Sequence, residues 1–311
     1  MNLQEPSRIS VIDPISPAIE RAKLLLFKPF DISKWFIIGF CAWLAQLGQG
    51  GFNFNFNFPH RHTQDFPQPF HHIKDFVIDN LPWIILSVII VFILAIAVGL
   101  VLTWLNSRGK FMFLHCVAGN KAEVKIPWQK FRKHGNSLFL FRIVLGIISF
   151  VIVGVPVLGI VLLIITMVTG TVPNAASIPG IVIFGLIIFA LLIALFLVKK
   201  FTLDFVVPIM FLQTASCVAG WREFLTILSV NKARFALYIL FQIVIAIAIG
   251  AIISIGFCIG CCLCCASLLL FIPYIGTVIL LPLLVFKRAY SLFYLRQFGP
   301  GFDVFSSARE T

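Results

Sequence analysis

The uncharged run WIILSVIIVFILAIAVGLVLTWL, residues 83–105, decides the fold. A helix rises about 1.5 Å per residue, so about 20 apolar residues cross the roughly 30 Å of a bilayer's hydrocarbon core. Outward from it, further apolar blocks bounded by charge, Gly or Pro stand at 32–48, 137–168, 179–198, 232–257 and 266–286. The bias extends to the whole chain. Of 311 residues, 60% are hydrophobic and 12% charged, and the mean hydropathy is +1.04, whereas soluble domains carry about 25% charge. A soluble fold cannot hide so much apolar surface. The expected class is therefore an all-α integral membrane protein, residues 1–311 forming one domain with about six transmembrane helices.

The block at 32–48 is the shortest and carries Lys34 in its first turn, so an interfacial helix is its alternative. Charge favours a span. Of the 24 Lys and Arg, only Arg61 and Lys74 fall in the connection 49–82, and none falls near 169–178 or 258–265. The rest gather in the N-terminal segment, in 106–136 and 199–231, at the C-terminus and at adjoining helix ends. Cytoplasmic loops carry the Lys/Arg excess, which orients both termini to the cytoplasm of a multi-pass protein in the cell membrane. The net charge of +12 then reads as a topology signal and an attraction to the anionic inner leaflet. Nucleic acid is not an expected partner, because these cations bracket apolar blocks instead of covering a soluble face. Residues 1–30 lack the short apolar core and cleavage site of a secretory leader, so the first block is expected to remain as a signal anchor. The block at 137–168 is longer than a bilayer needs and is expected to bend at Pro156, between Gly154 and Gly159, with Arg142 snorkelling to the cytoplasmic surface.

Two cytoplasmic stretches resemble each other: MFLHCVAG at 112–119 and MFLQTASCVAG at 210–220. Each leads to a Trp-x-x-Phe, Trp128 to Phe131 and Trp221 to Phe224, and then to the helix starts NSLFLF at Asn136 and NKARFALY at Asn231. A looser third copy is IERAKLLLFKPF followed by DISKWF at Asp31. Asp31, Asn136 and Asn231 are expected N-caps, whose side chains accept from backbone N–H groups that the first turn leaves free. The chain thus reads as three parallel hairpin repeats, each an amphipathic cytoplasmic helix (15–28, 121–135, 215–230), a span out and a span back.

This pattern of span pairs preceded by Trp- and Phe-bearing amphipathic helices resembles uncharacterised prokaryotic polytopic membrane proteins. They include the membrane domain fused to some glycerophosphodiester phosphodiesterases. The resemblance implies a membrane domain of the same kind and carries no catalytic string, so the phosphodiesterase activity is not implied for these residues.

Chemistry-bearing residues are few. The external loop 49–82, rich in His, Phe and Asn, holds His60, His62, His71 and His72 beside Asp65 and Asp75, which could ligate zinc, copper or nickel but match no established spacing. An incidental polar loop is the simpler reading. Its FNFNFNF run alternates at the strand period and is equally a low-complexity stretch that dips Phe into the headgroups. The run CIGCCLCC supplies Cys258, Cys261, Cys262, Cys264 and Cys265. Packing of small lipid-tolerant residues is the leading reading there, with a disulfide or a soft metal as alternatives. Asp204 follows Lys199 and Lys200 and reads as an ion pair or a solvated carboxylate, and Glu223 beside Arg222 as a solvated face. No span centre carries a charge.

No catalytic, cofactor or metal site is expected. The leading expectation is a non-enzymatic membrane protein whose basic amphipathic helices bind anionic lipid or dock a partner. The alternative is a transporter or channel for a small amphiphilic solute, and six spans leave room for a homo-oligomer.

Overall fold

A computed structural model describes residues 9–48, 80–169, 174–213, 215–262 and 272–307, and these residues are helical with no strand among them. In chain order they form α1 (Ile15–Leu26), α2 (Ile32–Gln46), α3 (Leu81–Gly119), α4 (Lys125–Lys130), α5 (Arg132–Val168), α6 (Asn174–Phe201), a π-helical turn (Thr202–Val206), α7 (Val207–Gln213), α8 (Cys217–Val230), α9 (Lys232–Cys262), α10 (Pro273–Ile279), α11 (Leu281–Arg296) and α12 (Val304–Ser307). Four stretches are long and apolar enough to cross a membrane: Leu81–Gly119, Arg132–Val168, Ser177–Gln213 and Lys232–Ile259.

The block at 32–48 is a helix of 15 residues, about 22 Å long and short of a hydrocarbon core. Only part of the block at 266–286 lies within the described residues, and there α10 and α11 meet at a break around Leu280, just before Pro282. The His, Phe and Asn residues of 49–79, together with Cys264 and Cys265, lie outside the described residues.

The helix starting at Leu81 does not end with its apolar block. It runs unbroken for 39 residues, about 58 Å, and stops where Asn120 takes the left-handed conformation (φ 55°). Its two parts differ sharply. Residues 85–101 are exposed on every face, whereas all thirteen residues 106–118 are buried. The expected cytoplasmic loop 106–136 is thus helical over most of its length. Asn106, Arg108 and Lys110, which as sequence mark the end of a span, sit inside a packed layer. That layer forms because α2 lies along this inner part of α3. A Cβ on Gly109 would come within 2.5 Å of the Leu44 backbone, so only glycine permits the approach. Asn106 Nδ2 donates to the Ala45 carbonyl at 2.7 Å, satisfying the C-terminal end of α2.

α5 and α6 pack antiparallel along their outer parts, with Gly159 against Phe184 and Gly180 against Leu163. α5 continues through Pro156 without a break in the helix. α1 packs on α11 through Ala18, Ala22, Leu25 and Leu26.

The caps divide. Asp31 accepts from the Ser33 N–H at 2.8 Å and caps α2 as expected. Asn136 lies inside α5, not at its start. Its Oδ1 accepts from Trp104 Nε1 and Arg108 Nη2, both at 3.2 Å. Asn231 stands between α8 and α9, with its amide donating back to the Ile227 carbonyl. The expected 121–135 helix is two pieces, α4 and the first turn of α5, parted at Phe131.

Candidate functional site: a buried basic junction

The inner ends of α3, of the α6–π-turn–α7 rod and of α11 converge beside α2 around a cavity of about 260 Å³. Lys110 of α3, Asp204 of the π-helical turn, Lys287 and Arg288 of α11, and Gln46 of α2 supply its polar lining. Lys200 and Arg142 stand close by. Four cations, Lys110, Lys200, Lys287 and Arg288, therefore stand around one carboxylate, and that carboxylate is already engaged. Lys200 Nζ lies 2.8 Å from Asp204 Oδ2, and the Tyr238 hydroxyl donates to the same oxygen at 2.9 Å. Gln242 in turn donates to Tyr238 and accepts from Lys200. This is a closed network spanning α6, the π-helical turn and α9.

The π-helical turn is what admits α11. π-turns are rare and concentrate at functional sites. Here Leu203, inside the turn, offers its carbonyl to Arg288 Nη1 at 2.6 Å. The terminal nitrogen Nη2 is buried and has no hydrogen-bond partner among the described residues. Burial lowers the Arg288 pKa to about 10, with Asp204 and Tyr238 opposing the fall, so the guanidinium keeps its charge at neutral pH. Lys110 is 6% exposed and makes no hydrogen bond or ion pair among the described residues. On the neighbouring face of α3, Arg142 donates to Asn106 Oδ1 and Ser107 Oγ. Arg142 was expected to snorkel outward; it turns into the protein because these acceptors stand opposite it.

A second basic feature borders the junction. Arg108 lies over the rings of Trp104 (4.1 Å) and Trp128 (4.9 Å), a cation–π arrangement that ties α4 to α3. Below it, Phe131 stacks on Phe211 at 4.9 Å and Phe205 on Phe224 at 5.3 Å, so the Phe of each Trp-x-x-Phe is a core anchor.

Cys217 of α8 is buried and its thiol is pushed up to about 12, which leaves it un-ionised at neutral pH. The cysteines Cys41 and Cys116 face each other at 3.8 Å within the apolar core. No cluster of metal-ligating residues occurs among the described residues, and Cys258 is an exposed free thiol on α9.

Sequence reasoning recognised the Asp204 ion pair and missed the junction. As sequence, Lys110, Lys287 and Arg288 read as charges flanking apolar blocks and Arg142 as a snorkelling one. The available signal was positional: Asn106 and Asp204 each stand six residues before the Met of a shared MFL string.

The junction and its four apolar helices define a class, that of helical proteins with a basic polar layer at one end of long apolar rods. A family model described as "Family of unknown function (DUF7544)" matches residues 9–273, and the chain belongs to that family. No curated protein and no solved structure matches the chain.

Proposed function

We propose that this chain is a non-enzymatic, multi-pass protein of the cell membrane that binds anionic lipid on its cytoplasmic side. The observation that carries the reading is the junction itself, where Lys110, Lys200, Lys287 and Arg288 stand around a single, already engaged Asp204. Of these Lys110 and Arg288 are buried without an ion pair among the described residues, which is costly, and an anion from the inner leaflet relieves that cost. The interfacial helices support the same reading. α1 turns Ile19, Leu24 and the adjoining Ile12 and Phe27 outward beside Lys23 and Lys28, a face suited to lie among headgroups.

The same reading keeps both termini in the cytoplasm and counts six crossings, the four long helices and the blocks 32–48 and 266–286, of which the first, as a helix of about 22 Å, reaches only part of the way through a hydrocarbon core. The three-unit repeat belongs to it as well. Its support is a matched pair of contacts: Arg142 of α5 reaches Asn106 on the rod before it, and Tyr238 of α9 reaches Asp204 on the rod before it.

Native mass spectrometry on gently extracted protein tests the reading. Retained anionic phospholipid is expected, and Lys130→Gln/Arg132→Gln/Lys133→Gln should reduce the number of loosely held anionic lipids. Retention of zwitterionic lipid alone would overturn it. A transporter for a small amphiphilic solute is the second reading, favoured by the meeting of the polar cavity with an apolar cleft at Leu284 and Lys287. Solute flux into proteoliposomes would establish it, and no flux over a broad panel would remove it.

A further inference from the structure

We propose that the cleft between α9 and the α6–α11 pair is a site for one anionic phospholipid of the cytoplasmic leaflet. In this site an acyl chain lies along α9 and the phosphate rests on Lys287, Arg288 and Lys110. The inference builds on the lipid-binding reading and names its site.

α9 joins the inner layer through Phe235, Tyr238 and Gln242, and farther out Ile243, Ile247, Ile252 and Ile255 are exposed. Between it and its neighbours lies a cleft of about 700 Å³. Phe196, Ile243, Ile247, Gly250 and Ile253 make its walls apolar, and Lys200, Gln242 and Lys287 stand at its polar end. From Gln242 to Ile253 α9 rises about 16 Å, half of a roughly 30 Å hydrocarbon core and so the depth of one leaflet. The basic cavity shares Leu284 and Lys287 with this cleft, so the apolar and cationic volumes meet at those side chains.

Charge selects the occupant. Asp204 pairs directly with Lys200 and Tyr238 and acts on Lys110 and Arg288 only from farther off, so at 6% and 8% exposure neither cation has an ion pair among the described residues, and Arg288 Nη2 has no hydrogen-bond partner among them. A phosphate supplies both charge and the acceptors that guanidinium and ammonium groups favour. A zwitterionic headgroup brings its own cation into a site that is already positive and binds less well. A free fatty chain fills the cleft yet gives Arg288 nothing to bond unless it too carries an acid.

The test uses the full chain, delipidated in detergent and titrated with phosphatidylglycerol or phosphatidylcholine of equal acyl composition, with bound lipid counted by native mass spectrometry. One phosphatidylglycerol should bind ahead of all others and at least several-fold ahead of phosphatidylcholine. Lys287→Gln should weaken that first lipid roughly tenfold, the loss expected for one charge-assisted contact. Gly250→Trp, at a position with open space around it, should abolish first-site binding by filling the cleft, with the unfolding temperature unchanged. The Lys130/Arg132/Lys133 triple variant should keep the first lipid and lose later ones. A first lipid with no headgroup preference, or one bound equally by Lys287→Gln and Gly250→Trp, overturns the site. If anionic preference persists in those two variants and falls in the triple variant, the site fails while the broader lipid-binding reading stands. If no protein prefers anionic lipid, both fail.

Discussion

The two parts of α3 are one helix in two solvents. From Ile85 to Val101 it is bare on every side and apolar but for Ser87, whereas from Asn106 to Ala118 it is enclosed by α2, α5 and α11 and holds Arg108 and Lys110. The outer part relies on lipid for its apolar contacts and needs no side-chain partners. The inner part is built like a soluble core, from close backbone approach, aromatic stacking and paired polar groups. Substitutions among small and apolar residues should therefore be tolerated outside and costly inside.

Asp204→Ala should show the largest effect, because it leaves Lys200 and Tyr238 unpaired in a buried layer. Breaking a buried pair costs about 3–5 kcal/mol, to be read as a fall in unfolding temperature in detergent. Ser87→Ala in the outer part of α3 should stay within about 0.5 kcal/mol. Gly109→Ala comes next, at about 1–3 kcal/mol, since its Cβ meets the Leu44 backbone. The matched Gly99→Ala has open space around it and should be neutral or stabilising, as alanine favours helix by roughly 0.5–1 kcal/mol. Equal costs at positions 99 and 109 would mean that α3 is packed along its whole length, and the division drawn here would fail.

Smaller effects sharpen the boundary. Asn136→Ala should cost about 1 kcal/mol and change tryptophan emission, because the side chain accepts from Trp104 and Arg108; an N-cap role would lower stability without touching Trp104. Thiol reactivity gives the smallest effect. Cys217, held near 12, should resist alkylation at pH 8 in the folded protein while exposed Cys258 reacts. An unfolded thiol ionises near 8.5, so burial of Cys217 contributes stability that is present below that pH and is lost as pH rises toward 12.

The outer layer was legible because lipid contact writes itself into composition: an uncharged run of 23 residues admits few other readings. Asp31 was legible too, since a helix cap depends on its immediate neighbours. The inner layer was hidden because a charged residue after an apolar run looks the same whether it meets water or a packed partner. Arg142 illustrates this; only the placement of Asn106 and Ser107 opposite it, 36 and 35 residues earlier in the chain, turns it inward. Asn136 was misassigned for a related reason, as α5 starts at Arg132. Lys110 and Arg288 come together only when α3 and α11 meet, and nothing local to either announces it.

Nitroxide scanning along residues 84–118 of α3 in a reconstituted bilayer tests the two-solvent account most directly. The account predicts high oxygen accessibility at every position from 85 to 101, with no helical periodicity. It predicts immobile labels that neither oxygen nor a water-soluble relaxant reaches from 106 to 118. A 3.6-residue periodicity through the outer part would mean that another protein surface covers it, and mobile, water-accessible labels in the inner part would contradict the buried basic layer on which the functional reading stands.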